Sequence, residues 1–157
     1  MTCVQAIASC FRQYATGSGR ASRSEYWYWM LFTLLGSLVT TIIDVSVFQT
    51  NIADHHAAQP VHTVFELITF LPSVAVGLRR LHDTNRSGWW ILISLTIIGI
   101  IPMISWACQK GTEGPNQFDD VSPRKSKGAI KTFLMVILGV LAILVAISIG
   151  IGIVTGR

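Results

Sequence analysis

The sequence predicts an all-α integral membrane protein, an N-terminal amphipathic helix followed by a bundle of about four transmembrane helices. Three observations carry that prediction. Hydrophobic residues make up 51% of the 157 residues and charged residues only 13%, against roughly a quarter charged in a soluble domain. The apolar residues gather in long blocks, not in short periodic stripes. Arginine, tryptophan and tyrosine crowd the ends of those blocks, where a chain meets the headgroup layer. The net charge of +4 and pI near 9.3 therefore suggest phospholipid headgroups as the acidic partner, and nucleic acid is not expected.

Residues 4–15 place Val4, Ile7, Ala8, Phe11, Tyr14 and Ala15 at helical spacing, opposite Gln5, Ser9, Arg12 and Gln13. Such a helix lies flat in the membrane interface or packs on its own bundle. Ser22-Arg23-Ser24-Glu25 is a capping-box pattern, with Glu25 expected to reach back to the cap. The run 26–48 follows, about 23 residues, enough to cross ~30 Å of hydrocarbon. A second span covers 61–78, where Pro72 removes a backbone donor and predicts a kink. The third block, 89–108, contains Gly99 and Pro102; its length favours a full span over a re-entrant hairpin. Residues 121–157 form a basic linker and a further span over about 130–154, so the chain divides at about residue 120. Ala142, Ala146 and Gly150 repeat at the spacing that lets helices approach, a seam for a homo-oligomer. No cleavable signal pattern opens the chain, so the first span is expected to direct insertion.

Sidedness follows the short loops. Arg12, Arg20 and Arg23 precede the first span, Arg79, Arg80 and Arg86 follow the second, and residues 49–60 carry no Lys or Arg. The N-terminus and the 79–88 loop are thus expected in the cytoplasm. Lys110, Arg124, Lys125, Lys127 and Lys131 fit the same side only if residues 89–108 turn back. With four full spans both termini are cytoplasmic and these five charges lie outside.

Two clusters meet at the cytoplasmic interface, Gly19–Trp27 and Leu78–Trp89. They supply the guanidinium groups of Arg20, Arg23, Arg79, Arg80 and Arg86 against the carboxylates of Glu25 and Asp83. A surplus of planar guanidinium groups at headgroup depth suits phosphate, which they grip in bidentate fashion. The simpler reading is topology and snorkelling, or a structural network through Arg79 and Asp83 four residues apart and Arg80 and Asp83 three apart. His82-Asp83 invites a general-base reading, but neighbouring helical residues point about 100° apart, and no nucleophile stands at a recognisable spacing. Asp44 and Glu66 fall at comparable depth in the first two spans, and ionisable groups there tend to line an interior or a polar path. His62 and Glu66, with Asp54, His55 and His56 nearby, are weak metal candidates. The cysteines Cys3, Cys10 and Cys108 have no disulfide or metal spacing, and no cofactor is expected.

The segments Gly19-Arg20-Ala21-Ser22-Arg23-Ser24-Glu25-Tyr26-Trp27, Arg79-Arg80-Leu81-His82-Asp83-Thr84-Asn85-Arg86-Ser87-Gly88-Trp89 and Gly111-Thr112-Glu113-Gly114-Pro115-Asn116-Gln117-Phe118 resemble, in order, the three signatures of the bacterial inner-membrane family DUF 805. The resemblance covers roughly residues 1–120 and implies an inner-membrane protein of unassigned activity. It also implies that Glu25, His82, Asp83, Asn85 and Asn116 form the family's polar network. Asp119 departs from the family pattern, which usually continues with Gly. Three functions compete: a non-enzymatic protein whose interface arginines hold anionic lipid or an acidic partner, an oligomeric transporter or channel using Asp44 and Glu66, and a lipid-modifying enzyme using His82. The first is expected.

Overall fold

The computed structural model describes residues 1–48, 58–96, 98–118, 134 and 138. Among these the regular elements are all helical: α1 (Cys3–Arg12), α2 (Arg23–Val47), α3 (Pro60–Asp83), a 3-10 helix (Gly88–Leu95) and α4 (Ile100–Cys108). α2 and α3 are each long and apolar enough to cross a membrane. Asp54, His55 and His56, the small-residue seam at Ala142, Ala146 and Gly150, and the basic linker lie outside the described residues.

α1 starts with a true capping box. The Thr2 hydroxyl accepts from the Gln5 amide and the Gln5 side chain accepts from the Thr2 amide, which satisfies two of the four free donors of a helix start. Its small residues Ala6 and Cys10 are buried, and Phe11 meets the rings of Trp29 and Phe32 edge-on at 5.2 and 6.0 Å. Of the two placements the amphipathic pattern allowed, α1 takes the one packed on its own bundle. At the start of α2, Ser22 accepts from the Glu25 amide at 3.2 Å, but the Glu25 carboxylate does not reach back as expected. It turns toward α3, where a stronger partner waits.

α2 and α3 are joined along their length. The Trp29 indole donates to Ser73 Oγ at 2.9 Å, and Phe65 packs on Phe32. Phe65 also lies so close to Gly36 that a Cβ there would sit 2.2 Å from its ring. α3 has no cap of its own, because Gln59 makes no side-chain cap bond and Pro60 occupies the first turn. The cap comes from the neighbouring helix. Asp44 is completely buried, and its two oxygens accept from the amides of Val61 at 3.1 Å and His62 at 2.9 Å. This corrects the expectation that Asp44 lines a polar path: its carboxylate is committed to a helix N-terminus. Pro72 lies inside α3 and is buried. Lacking an N–H, it leaves the Ile68 carbonyl without its helical partner, and the Tyr14 hydroxyl donates to that oxygen at 2.7 Å.

Residues 89–108 do not form the continuous span that their length suggested. The 3-10 helix ends at Leu95, and Gly99 opens α4. The two arms measure ~16 and ~14 Å at 2.0 and 1.5 Å per residue, each about half of a 30 Å hydrocarbon core. Both far ends return to the same place. Trp90 on the first arm meets Trp106 on the second, with ring centroids 5.6 Å apart, and Arg86 lies over Trp106 at 4.8 Å. The block is therefore an out-and-back hairpin beside the C-terminal end of α3. The described bundle holds two long helices, a hairpin and a surface helix.

Replacing Asp44 by Ala leaves two amides of the α3 start without a partner and is expected to cost about 1–2 kcal/mol. Asp44→Asn, which keeps an acceptor, should lose less. Thermal unfolding in detergent measures both; an Asp44→Ala midpoint equal to wild type would contradict the capping role.

Candidate functional site

The polar residues of the bundle gather at one end, where α3 finishes. α3 stops because Asn85 adopts a left-handed φ of 57°, a conformation Asn tolerates after a helix C-terminus. The Asn85 amide donates to the His82 carbonyl and the Arg86 amide to the Leu81 carbonyl, both at 3.0 Å, the paired bonds of a Schellman ending. Residues 111–118 lie across that last turn as a strap and add bonds to its carbonyls. Thr112 donates to the Asp83 carbonyl from its amide at 2.8 Å and from its hydroxyl at 3.0 Å. Asn116 Nδ2 donates to the His82 carbonyl at 2.9 Å. Gly111 permits the approach, since a Cβ there would lie 1.9 Å from Asp83 Oδ2.

Two buried ion-pair groups occupy the space beneath. Asp83 Oδ1 accepts from Arg20 Nε at 3.1 Å and Nη2 at 2.9 Å, and Oδ2 accepts from Arg80. Arg20 also donates to the carbonyls of Thr112 and Gly114, which ties the strap to the N-terminal loop. Arg79 donates to Glu25 Oε1 at 2.8 Å, and Ser9 Oγ donates to the same oxygen at 3.0 Å. α1, α2 and α3 thus share one carboxylate. Arg80 completes the set by donating to the carbonyls of Ala107 at 3.2 Å, Trp106 at 3.4 Å and Gln109. Those carbonyls lie at the negative end of α4, where helical partners run out. Arg23 adds the Cys108 carbonyl at 3.4 Å.

Burial separates these arginines into two classes. Arg20, Arg79 and Arg80 are 7%, 1% and 2% exposed, as buried as Glu25 and Asp83; Arg23 and Arg86 are half-buried. This corrects the expected open guanidinium surplus: three of the five arginines point inward and are held by protein. Arg79 Nε and Nη2 are buried with no nitrogen or oxygen partner among the described residues. Beside it the Cys10 thiol is pushed up to about 12 by burial and by the Glu25 charge, with Arg79 pulling the other way. A thiol in that state is no nucleophile at neutral pH.

The other candidates separate likewise. Asp83 pairs with Arg80 at the three-residue spacing, whereas Arg79 turns to Glu25 and not to Asp83. His82 does not face Asp83. Its ring stacks on Phe118 at 4.0 Å and 7°, and its Nδ1 lies 3.2 Å from the Gly19 carbonyl. The adjacent His82 and Asp83 are therefore not a catalytic pair. Glu66 does not share Asp44's capping role; its side chain is 58% exposed and 3.9 Å from His62. Among the described residues no three His, Cys, Asp or Glu side chains come together as a metal site. The sequence reading missed Ser9, which had only its place on a polar helix face to mark it, and the bonding role of Thr112.

Comparison with known proteins places this site within a family. The model of a family described as "Protein of unknown function (DUF805)" matches residues 14–120, and Arg20, Glu25, Arg79, Arg80 and Asp83 all fall inside that stretch. Inner membrane protein YhaI of Escherichia coli (strain K12) is 36% identical over 116 residues, 73% of this chain and 92% of that protein. Inner membrane protein YhaH of the same strain is 36% identical over 108 residues, 68% of this chain and 87% of that protein. The uncharacterized protein YiiR is 31% identical over 94 residues, 59% of this chain and 58% of that protein. No solved structure matches.

Asp83→Asn removes the charge shared by Arg20 and Arg80 and leaves two buried cations short of an anion. The expected loss is about 3–5 kcal/mol, the cost of breaking a buried pair on one side only. A melting midpoint in detergent within a degree of wild type would refute the network.

Proposed function

The chain belongs to the DUF805 family, and from that membership we propose that it is a non-enzymatic, multi-pass inner-membrane protein. In this reading its half-buried interface arginines hold anionic phospholipid headgroups. One observation carries it: the buried arginine network consumes Arg20, Arg79 and Arg80, while Arg23 and Arg86 remain at its rim. Arg12, exposed in the last turn of α1, adds a third cation. Guanidinium groups so placed suit the phosphate of phosphatidylglycerol or cardiolipin. The relatives' printed names, inner membrane proteins, support the location.

An orientation follows from the hairpin. If residues 88–108 enter and leave on one side, all Lys and Arg except Arg157 fall on that side, eleven of the twelve in the sequence. The positive-inside bias then puts the N-terminus and the strap in the cytoplasm. The conflict that four full spans create over Lys110 and the basic linker disappears.

A catalytic reading of His82 gains little from this geometry. Asp83 is occupied by Arg20 and Arg80, so the imidazole has no carboxylate to orient it as a base.

Two experiments test the proposal. Exchanging Arg23 and Arg86 for Gln removes about 1 kcal/mol of headgroup attraction per charge, so retention of phosphatidylglycerol in native mass spectrometry should fall roughly tenfold or more. Undiminished retention counts against it. For sidedness, a cysteine placed at the exposed Glu113 in a chain lacking its own cysteines should resist an impermeant maleimide on spheroplasts and react once the membrane is opened. Labelling of intact spheroplasts would reverse the orientation.

A further inference from the structure

Away from the arginine end, an open groove of about 850 Å³ runs between α2, α3 and α4. Tyr26, Trp27, Phe70 and Ile104 are among its walls, and Glu66 supplies its one carboxylate. A second groove of about 540 Å³ adjoins it and shares Tyr26, Phe70 and Ile104. Phe65 packs on Phe32 and Gly36, which sets Glu66 level with Thr33 and Ser37. The groove therefore extends ~15 Å along α2, from Trp27 to Ser37 at 1.5 Å per residue.

We propose that this groove is a binding site for a lipophilic cation, with the positive group at Glu66 and the apolar body along the aromatic wall toward Trp27. Glu66 lies six residues inside the start of α3, ~9 Å along the helix, where an unpaired carboxylate is costly. Its partner in the structure is His62 at 3.9 Å, beyond hydrogen-bonding distance. Two hydroxyl protons of the lining are already used: Thr33 donates to the Met30 carbonyl at 3.0 Å and Thr69 to the Phe65 carbonyl at 2.8 Å. What these hydroxyls offer the groove is acceptor oxygen, which suits a cation and repels an anion.

Charge selects the occupant in a second way. The surplus of three buried arginines over two carboxylates lies at the Trp27 end, so a cationic group is driven toward Glu66 and away from that end. Phe70, 63% exposed, and the half-buried Tyr26 give an aromatic body apolar ring surface to pack against. A phospholipid acyl chain would fill the apolar length but leave the carboxylate unpaired. This site is independent of the rim arginines and of the headgroup reading above.

The probe is tetraphenylphosphonium, titrated into the full-length protein in neutral-lipid nanodiscs and followed by tryptophan fluorescence and by equilibrium dialysis. Saturable binding is expected. Glu66→Gln should weaken it roughly tenfold or more, the loss of one charge contact, and Glu66→Asp should retain most of it. Tetraphenylborate, of matching shape and opposite charge, should not saturate. Unaltered helical circular dichroism in Glu66→Gln keeps the comparison valid, and Glu66→Asp supplies the second reading if that variant unfolds. Three results overturn the proposal: no saturable binding by the wild type; equal affinity in Glu66→Gln; or equal affinity for the two ions of opposite charge.

Discussion

Everything at the functional end of this bundle depends on burying three guanidinium groups with only two carboxylates. Asp83 serves Arg20 and Arg80, and Glu25 serves Arg79. Removing charges from water is expensive, and a buried pair recovers that cost only with good geometry and further hydrogen bonds. The extra bonds come from backbone. Arg20 draws on Thr112 and Gly114, and Arg80 draws on Ala21 and the end of α4. The missing third anion is thus approximated by oriented carbonyl dipoles, chiefly the negative end of α4.

That arrangement explains why the parts sit where they do. In hydrocarbon, apolar surfaces gain little by meeting one another, so helix positions are set by close packing and by polar contacts. Here each polar contact names a different pair of elements. Ser9 and Glu25 join α1 to α2, Arg79 joins both to α3, Arg80 joins α3 to α4, and Thr112 and Asn116 close the strap. An assembly with any element displaced leaves a buried charge or carbonyl unmatched. The network therefore specifies one arrangement, whatever its net contribution to stability.

Much of the frame was legible in the sequence, because length and apolar continuity are what a membrane demands. The run 26–48 became Arg23–Val47; the two arginine clusters converge as expected, and residues 111–118 join them. The directions of the side chains were not legible. An arginine at headgroup depth reads the same whether it faces lipid or its own carbonyls, and only the strap over Asp83 decides. Asp44 was obscure for a related reason. Its partner is a helix start with no cap of its own, and the clue was the absence of Ser, Thr, Asp or Asn immediately before Pro60, not anything near Asp44. Residues 89–108 were the hardest, since twenty apolar residues satisfy the length rule for a span and for a hairpin alike.

Thr96 and Gly99 close the turn between the two arms with their own polar groups. The Ile93 carbonyl accepts from the Thr96 amide at 3.0 Å and from the Thr96 hydroxyl at 2.8 Å. The Gly99 amide donates to the Thr96 carbonyl at 3.0 Å and to its hydroxyl at 3.1 Å. Gly99 is required by this closure, because a Cβ there would lie 1.7 Å from the Ile93 carbonyl oxygen. Pro102 follows as the third residue of α4, where an amide would have had no helical partner anyway. Ile98 at the tip is 82% exposed. The residues that looked like flaws in a membrane span are the ones that let it turn, and the turn is what returns the carbonyls of α4 to Arg80.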